Sequence, residues 1–320
     1  MNDGAHSSLE YYPVTLFTIV MGMAGLTLAL RAGEQSLGVS HIASGVVYFL
    51  TLALFVVISA GYVLKAFQFP KAVQGEWTHP VKLAFFPAIS IGLLLLAIAT
   101  LPVSRPVAHV MWLAGALGQG VLTLAVVSGW IGARAFLHGH LSPAWFIPAV
   151  GNVIVPIAGV PLGYIELSWY FLSVGLVFWV VLLTLVINRL VFHDPLPERL
   201  QPTLVILIAP PAVGFLAWVT LTGGVDHFAR ILLNSAYLFG LIVAIQIPRI
   251  LRLPFAMSFW ALSFPVAAVT IASFHYAAAV GSDVHRLIGL ALLVILSVTL
   301  VALLLRTFRA VASGVVFQPE

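Results

Sequence analysis

Long apolar runs separated by short polar stretches set the pattern of this chain. Ten runs are long enough to cross a bilayer, at 12–30, 41–65, 83–101, 107–129, 144–162, 166–188, 200–222, 227–248, 255–279 and 285–305. A helix needs roughly 20 apolar residues to span a hydrocarbon core, so each run predicts one spanning helix. The joins are short, which predicts antiparallel helical hairpins, and no stretch is long enough for a soluble domain. The pattern predicts an all-α integral membrane fold in one domain, 1–320. Within it, a short cytoplasmic N-terminus at 1–11 leads into a ten-helix unit at 12–308 and a short cytoplasmic tail at 309–320.

Proline divides the runs into two sets. Pro87 lies in the third, Pro148 and Pro156 in the fifth, Pro210 and Pro211 in the seventh, and Pro265 in the ninth. Runs two, four, six and ten have no internal proline, and run eight has only Pro248 near its end. A proline removes a helix hydrogen bond and clashes with the preceding turn, so these residues are expected to bend their helices. Inside a membrane such a break is tolerated where protein or a wet cavity handles the freed carbonyl. The alternation predicts five hairpins, each a bent odd helix followed by a straighter even one. Closed into a ring, they would have quasi-fivefold symmetry around a central pore lined by the odd helices.

Composition sharpens this. Apolar residues make up 62% of the chain and charged residues only 8%, against about 25% charged in a soluble domain. Lysine and arginine give the orientation. Lys65, Lys71, Lys82, Arg134, Arg189, Arg199, Arg249, Arg252, Arg306 and Arg309 fall on the side of the termini. Arg31, Arg105, Arg230 and Arg286 fall on the other. The excess predicts both termini in the cytoplasm of a multi-pass inner (plasma) membrane protein, with odd helices running outward. The basic balance follows from this bias and is no sign of nucleic-acid binding. Cysteine is absent, which excludes disulfides, thiolate metal sites and cysteine nucleophiles. Residues 1–10 lack the Lys and Arg that lead a secretory signal peptide.

No Asp, Glu, Lys or Arg lies near the middle of a run; Glu166, Arg189, Arg230 and Arg249 all fall at ends. Intramembrane ionisable groups mark proton relays and ion-coupling sites, so their absence argues for a passive conduit. His79, His138, His140, His193 and His227 lie in or beside joins, His109 near the start of run four and His275 near the end of run nine. This distribution offers no paired ligands for haem and no metal motif. Neither a cofactor, a metal nor a catalytic group is expected. The amides Gln119, Asn152, Asn234 and Gln246 ordinarily read as interhelical hydrogen bonds. Asn152, between Pro148 and Pro156, is the candidate for a polar pore-lining group. Glycines such as Gly22, Gly25, Gly115 and Gly118 read as close helix packing. Phe264 stands beside Pro265 at the expected bend of helix nine. From these residues alone its ring is free to point into the axis or to pack between helices.

Several stretches together resemble a known family. They are Phe17 to Leu26 (FTIVMGMAGL), Glu76 to Ala88 (EWTHPVKLAFFPA), Gly118-Gln119, Ile147 to Gly151 (IPAVG), Ile208 to Pro211 (IAPP) and Trp260 to Pro265 (WALSFP). Their order and spacing over residues 12–308 resemble the tellurite-resistance and dicarboxylate transporter family, which includes bacterial TehA proteins and plant slow-type anion channels. The resemblance implies ten helices in five hairpins, and a homotrimer with one pore per subunit. It also implies a gate formed by a Phe on the ninth helix, which matches Phe264. It implies an anion channel or channel-like exporter, with chloride, nitrate, malate, sulfite and tellurite among family substrates. The alternative is a secondary-active transporter of dicarboxylate, sulfite or tellurite. Expected partners are small inorganic or organic anions and the lipid bilayer. The anion preference comes from the resemblance, because carbonyls freed by proline would favour cations. Pro211 doubles the proline in run seven, a departure from the family.

Overall fold

In a computed structural model the chain is described over residues 9–132 and 136–317, and the topology marker Arg134 lies outside these residues. All regular structure among the described residues is helical. The ten spans are Val14–Leu37, Ile42–Gln68, Lys82–Thr100, Arg105–Ile131, Pro143–Leu162, Ile165–Phe192, Glu198–Thr222, His227–Ile250, Met257–Val280 and Asp283–Ala312. They are numbered span 1 to span 10 below.

The two layers differ sharply in burial. The most apolar stretch of each odd span is 67–83% buried, and that of each even span only 22–33%. Span 1 packs on span 3, span 3 on span 5, span 5 on span 7 and span 7 on span 9, and span 9 closes back onto span 1. Each even span packs against the odd spans that flank it in this ring. The outward faces of the even spans carry Phe49, Val180, Leu241 and Val298, each more than half exposed. A soluble monomer rarely exposes apolar surface on this scale, and the chain is a multi-pass membrane protein.

Glycine shapes the hairpins. Spans 1, 5, 7 and 9 end at Gly38, Gly163, Gly223 and Gly281, each with φ between 68° and 99°. This left-handed geometry ends a helix without the strain that a Cβ would add. On the following side, Asp226 and Ser282 cap spans 8 and 10 by accepting from the Ala229 and His285 backbone N–H groups.

The odd spans are not continuous α-helices, and the prolines fall near the starts of their α-helical stretches. Each contains a 3-10 stretch before its final α-helix. These stretches are Val14–Leu16, Lys82–Phe85, Pro143–Trp145 with Gly151–Ile154, Glu198–Ile208 and Met257–Leu262. Pro87 is the N-cap of the α-helix Ala88–Thr100, and Pro156 is the second residue of Val155–Leu162. Pro210 and Pro211 open Ala209–Thr222, and Pro265 follows Phe264 at the start of Phe264–Val280. Pro148 is the third residue of the short helix Phe146–Val150. In the first turn of a helix the backbone N–H has no intrahelical partner, so proline removes nothing there. These residues therefore start α-helices within the span rather than kink continuous ones. Pro161 and Pro202 also fall inside helical elements of spans 5 and 7.

Two boundaries move. The join between spans 2 and 3 contains a helix of its own, Pro70–Thr78. Span 10 runs on to Ala312, past the expected start of the tail at 309.

Candidate conduction pathway

Among the described residues, two cavities are lined by the odd spans of the ring. The first, about 60 Å³, lies where the 3-10 stretches give way to α-helix, and all five odd spans line it. Its wall includes Met21, Phe85, Ile91, Val150, Ile206, Pro210, Val213, Trp260 and Phe264. Thr18 also lines it, and the Thr18 hydroxyl donates to the Thr15 carbonyl at 2.6 Å. The Trp260 indole N–H donates to Thr307 on span 10 at 2.9 Å. The cavity is wide enough for water but offers it almost no hydrogen-bond partners, the condition under which cavities stay dry.

The second cavity is a vestibule of about 1050 Å³ at the end where the odd spans finish. All five odd spans line it. Among the lining residues are Leu28, Arg31, Ala32 and Gln35 on span 1, Val213, Leu216 and Thr220 on span 7, and Phe264, Ala268, Ile271, His275 and Ala278 on span 9. Spacings of three and four residues keep these side chains on one helical face. Arg31, Asp283 and Arg286 bring charge to this wall.

Phe264 and Val213 line both cavities. They stand at the boundary between the narrow cavity and the vestibule. Phe264 is 9% exposed, and its ring is seated against span 1 at Gly25. A Cβ at Gly25 would lie 3.3 Å from Phe264 Cδ2 and 2.9 Å from Ala267 Cβ. Gly22 makes the same close approach to Ser263 and Trp260. The local chain explains how the ring is held. Trp260 carbonyl accepts from both the Ser263 backbone N–H at 3.1 Å and the Ser263 hydroxyl at 2.5 Å. That tight turn sets the direction in which Phe264 leaves the backbone.

Asn152 is turned elsewhere. Its amide donates to Thr123 Oγ1 at 2.9 Å and to the Ala149 carbonyl at 2.6 Å. Gln119 Nε2 donates to the Pro148 carbonyl at 3.1 Å, and Ser90 Oγ donates to Gln119 Oε1 at 2.8 Å. These groups form one buried network across spans 3, 4 and 5, with Asn152 only 1% exposed. Asn152 is absent from the lining of both cavities. Its amide is hydrogen-bonded between helices rather than into either of these two cavities.

A buried charge cluster lies at the opposite end of the ring, where odd spans begin. Lys65 Nζ sits 2.9 Å from Glu76 Oε2. Glu76 also accepts from Tyr62 at 2.9 Å and from the Val14 backbone N–H at 3.1 Å. Lys65 further donates to the Tyr12 carbonyl at 2.9 Å. The cluster pins helix Pro70–Thr78 to the start of span 1. In the sequence, Lys65 reads only as an orientation marker, and Glu76 lies in a join. Nothing there brings the two together. Arg31 and Arg286 likewise read only as orientation markers, and helical spacing from Phe264 is the signal that would have found the vestibule face.

Comparison with known proteins gives a consistent picture. Residues 11–308 match the SLAC1 family, described as voltage-dependent anion channel. The S-type anion channel SLAH3 of Arabidopsis thaliana is 28% identical over 313 residues, covering 96% of this chain and 49% of that protein. An uncharacterized transporter of Methanocaldococcus jannaschii is 26% identical over 342 residues, covering 98% of this chain and 99% of the transporter. A tellurite resistance protein TehA homolog of Haemophilus influenzae is 25% identical over 260 residues, covering 80% and 79%. The chain thus spans about half the length of the plant channel and nearly all of the archaeal transporter.

Proposed function

The chain belongs to the SLAC1 family of voltage-dependent anion channels, and from that premise we propose that it passes small anions passively along the axis of its five odd spans, with Phe264 as the gate. The observation that carries the proposal is that Phe264 lines both the narrow cavity and the vestibule. A ring at that boundary is a steric plug, and its apolar faces give a passing ion no hydration. Dry apolar constrictions of this kind gate by dewetting. Among the described residues, no Asp, Glu, Lys, Arg or His lines the narrow cavity, which supports conduction without proton coupling. The names of relatives, an S-type anion channel and a tellurite resistance homolog, support anions as the cargo.

The excess of Lys and Arg supports an orientation with both termini in the cytoplasm of the plasma membrane. The vestibule then opens on the opposite face. The family resemblance supports a homotrimer with one pathway per subunit. The competing proposal is a secondary-active carrier of dicarboxylate, sulfite or tellurite. Anion flux from liposomes holding the purified protein separates the two. Flux that follows the anion gradient and membrane potential, unaltered by an imposed proton gradient, is expected. Flux that requires the proton gradient would overturn the passive reading.

A further inference from the structure

We propose that Arg31 and Arg286 make the vestibule a collecting site for small anions, holding them at raised local concentration beside Phe264. The inference rests on the passive-conduit reading for its consequence but on separate observations for its existence. Both arginines line the same cavity of about 1050 Å³. Arg31 comes from the last turns of span 1, and Arg286 from the first turn of span 10. Neither is held in an ion pair or a side-chain hydrogen bond to an acid among the described residues. Asp283 is the one carboxylate among the lining residues. Two guanidinium groups against one carboxylate leave the wall net positive.

Location gives that charge its effect. A concave site with low-dielectric walls focuses field lines and raises the local concentration of counter-ions. Here the walls are the apolar odd spans. Arg31 is only partly exposed, so its charge is less screened than one on an open surface. The guanidinium fork also suits oxyanions, which can present two oxygens to it. A long side chain at a helix end can instead reach out to a lipid phosphate. In that case it would leave the vestibule and contribute nothing to the field there.

The test uses the single-cysteine variant Ala278→Cys. Ala278 is exposed and lines the vestibule, and the chain has no native cysteine. The full chain, in liposomes of neutral phosphatidylcholine, is labelled with an anionic and with a neutral thiol reagent of similar size. The ratio of the two rates reports the local field. Arg31→Gln and Arg286→Gln are each expected to lower the ratio roughly twofold to fivefold at low salt. Arg31→Lys should keep the ratio, and Asp283→Asn should raise it. All of these differences should shrink on going from ~10 mM to ~1 M salt, as the screening length falls. A ratio unaffected by both glutamine substitutions would overturn the collecting site, as would a loss that persists undiminished at high salt. Gating is not needed for this readout. If the ratio responds as expected but Phe264→Ala carries no current, the collecting site stands and the conduit reading falls.

Discussion

Gly25 is the residue on which the seating of Phe264 depends. A methyl group there would come within 2.9 Å of Ala267 and 3.3 Å of the Phe264 ring. Span 9 must then shift away from span 1, or the ring must turn. Overpacking of this kind costs about 1–3 kcal/mol. Gly25→Ala is expected to lower the thermal unfolding temperature modestly and to give a leak current smaller than that of Phe264→Ala. A variant as stable and as silent as the parent would show that Gly25 does not hold the ring. At this scale the sequence is only partly legible. Gly22 and Gly25 read as packing glycines, and they are. Asn152 sits between two prolines and reads as pore-lining, yet it bonds Thr123 and Ala149. Helical phase decides that outcome, and the change to 3-10 geometry at Gly151–Ile154 alters the phase in a way that an apolar run does not reveal. The Lys65–Glu76 pair is hidden for another reason. It joins the end of span 2 to a connecting helix, and composition carries no information about which ends meet.

Among the elements, the odd spans depart furthest from expectation. Hydropathy locates all ten spans, because each needs a long apolar run. It cannot distinguish 3-10 from α within such a run, since a run that is apolar on every face carries no period to read. Proline position marks the change in spans 3, 5, 7 and 9, but as the first turn of an α-helix and not as a bend in one. This distinction has a measurable consequence at Pro265. A proline in a helix interior costs about 3 kcal/mol, so its removal from a true kink would stabilise or straighten the helix markedly. In the first turn nothing is lost to begin with. Pro265→Ala is therefore expected to change stability by less than about 1 kcal/mol. The new N–H can bond the Ala261 carbonyl and extend the α-helix backward through Phe264, re-aiming the ring. Current should rise while the unfolding temperature barely moves. A large stability change without any change in current would contradict this account of span 9.

The whole molecule is built in two layers of different burial, odd spans inside and even spans outside. The inner ring should meet water in the vestibule, and the outer layer should meet lipid. With no native cysteine, single cysteines can map this directly. Cysteine at Leu28, Thr220 or Ile271, which line the vestibule and are partly exposed, should react with a small water-soluble thiol reagent. Cysteine at Val180, Leu241 or Val298, which are 61%, 67% and 66% exposed on even spans, should not react at comparable rates in liposomes. Equal labelling of the two sets would sink the assignment of inner and outer faces.

The gate itself is tested most directly by current per folded molecule in planar bilayers, for parent, Phe264→Leu and Phe264→Ala, with anions exchanged on one side. If Phe264 blocks the path between the two cavities, Phe264→Ala conducts strongly, Phe264→Leu less, and the reversal potential follows the anion gradient. If the ring only packs between helices, its loss leaves a cavity costing about 3–5 kcal/mol and opens no path. Folded Phe264→Ala protein that conducts no more than the parent would contradict the account.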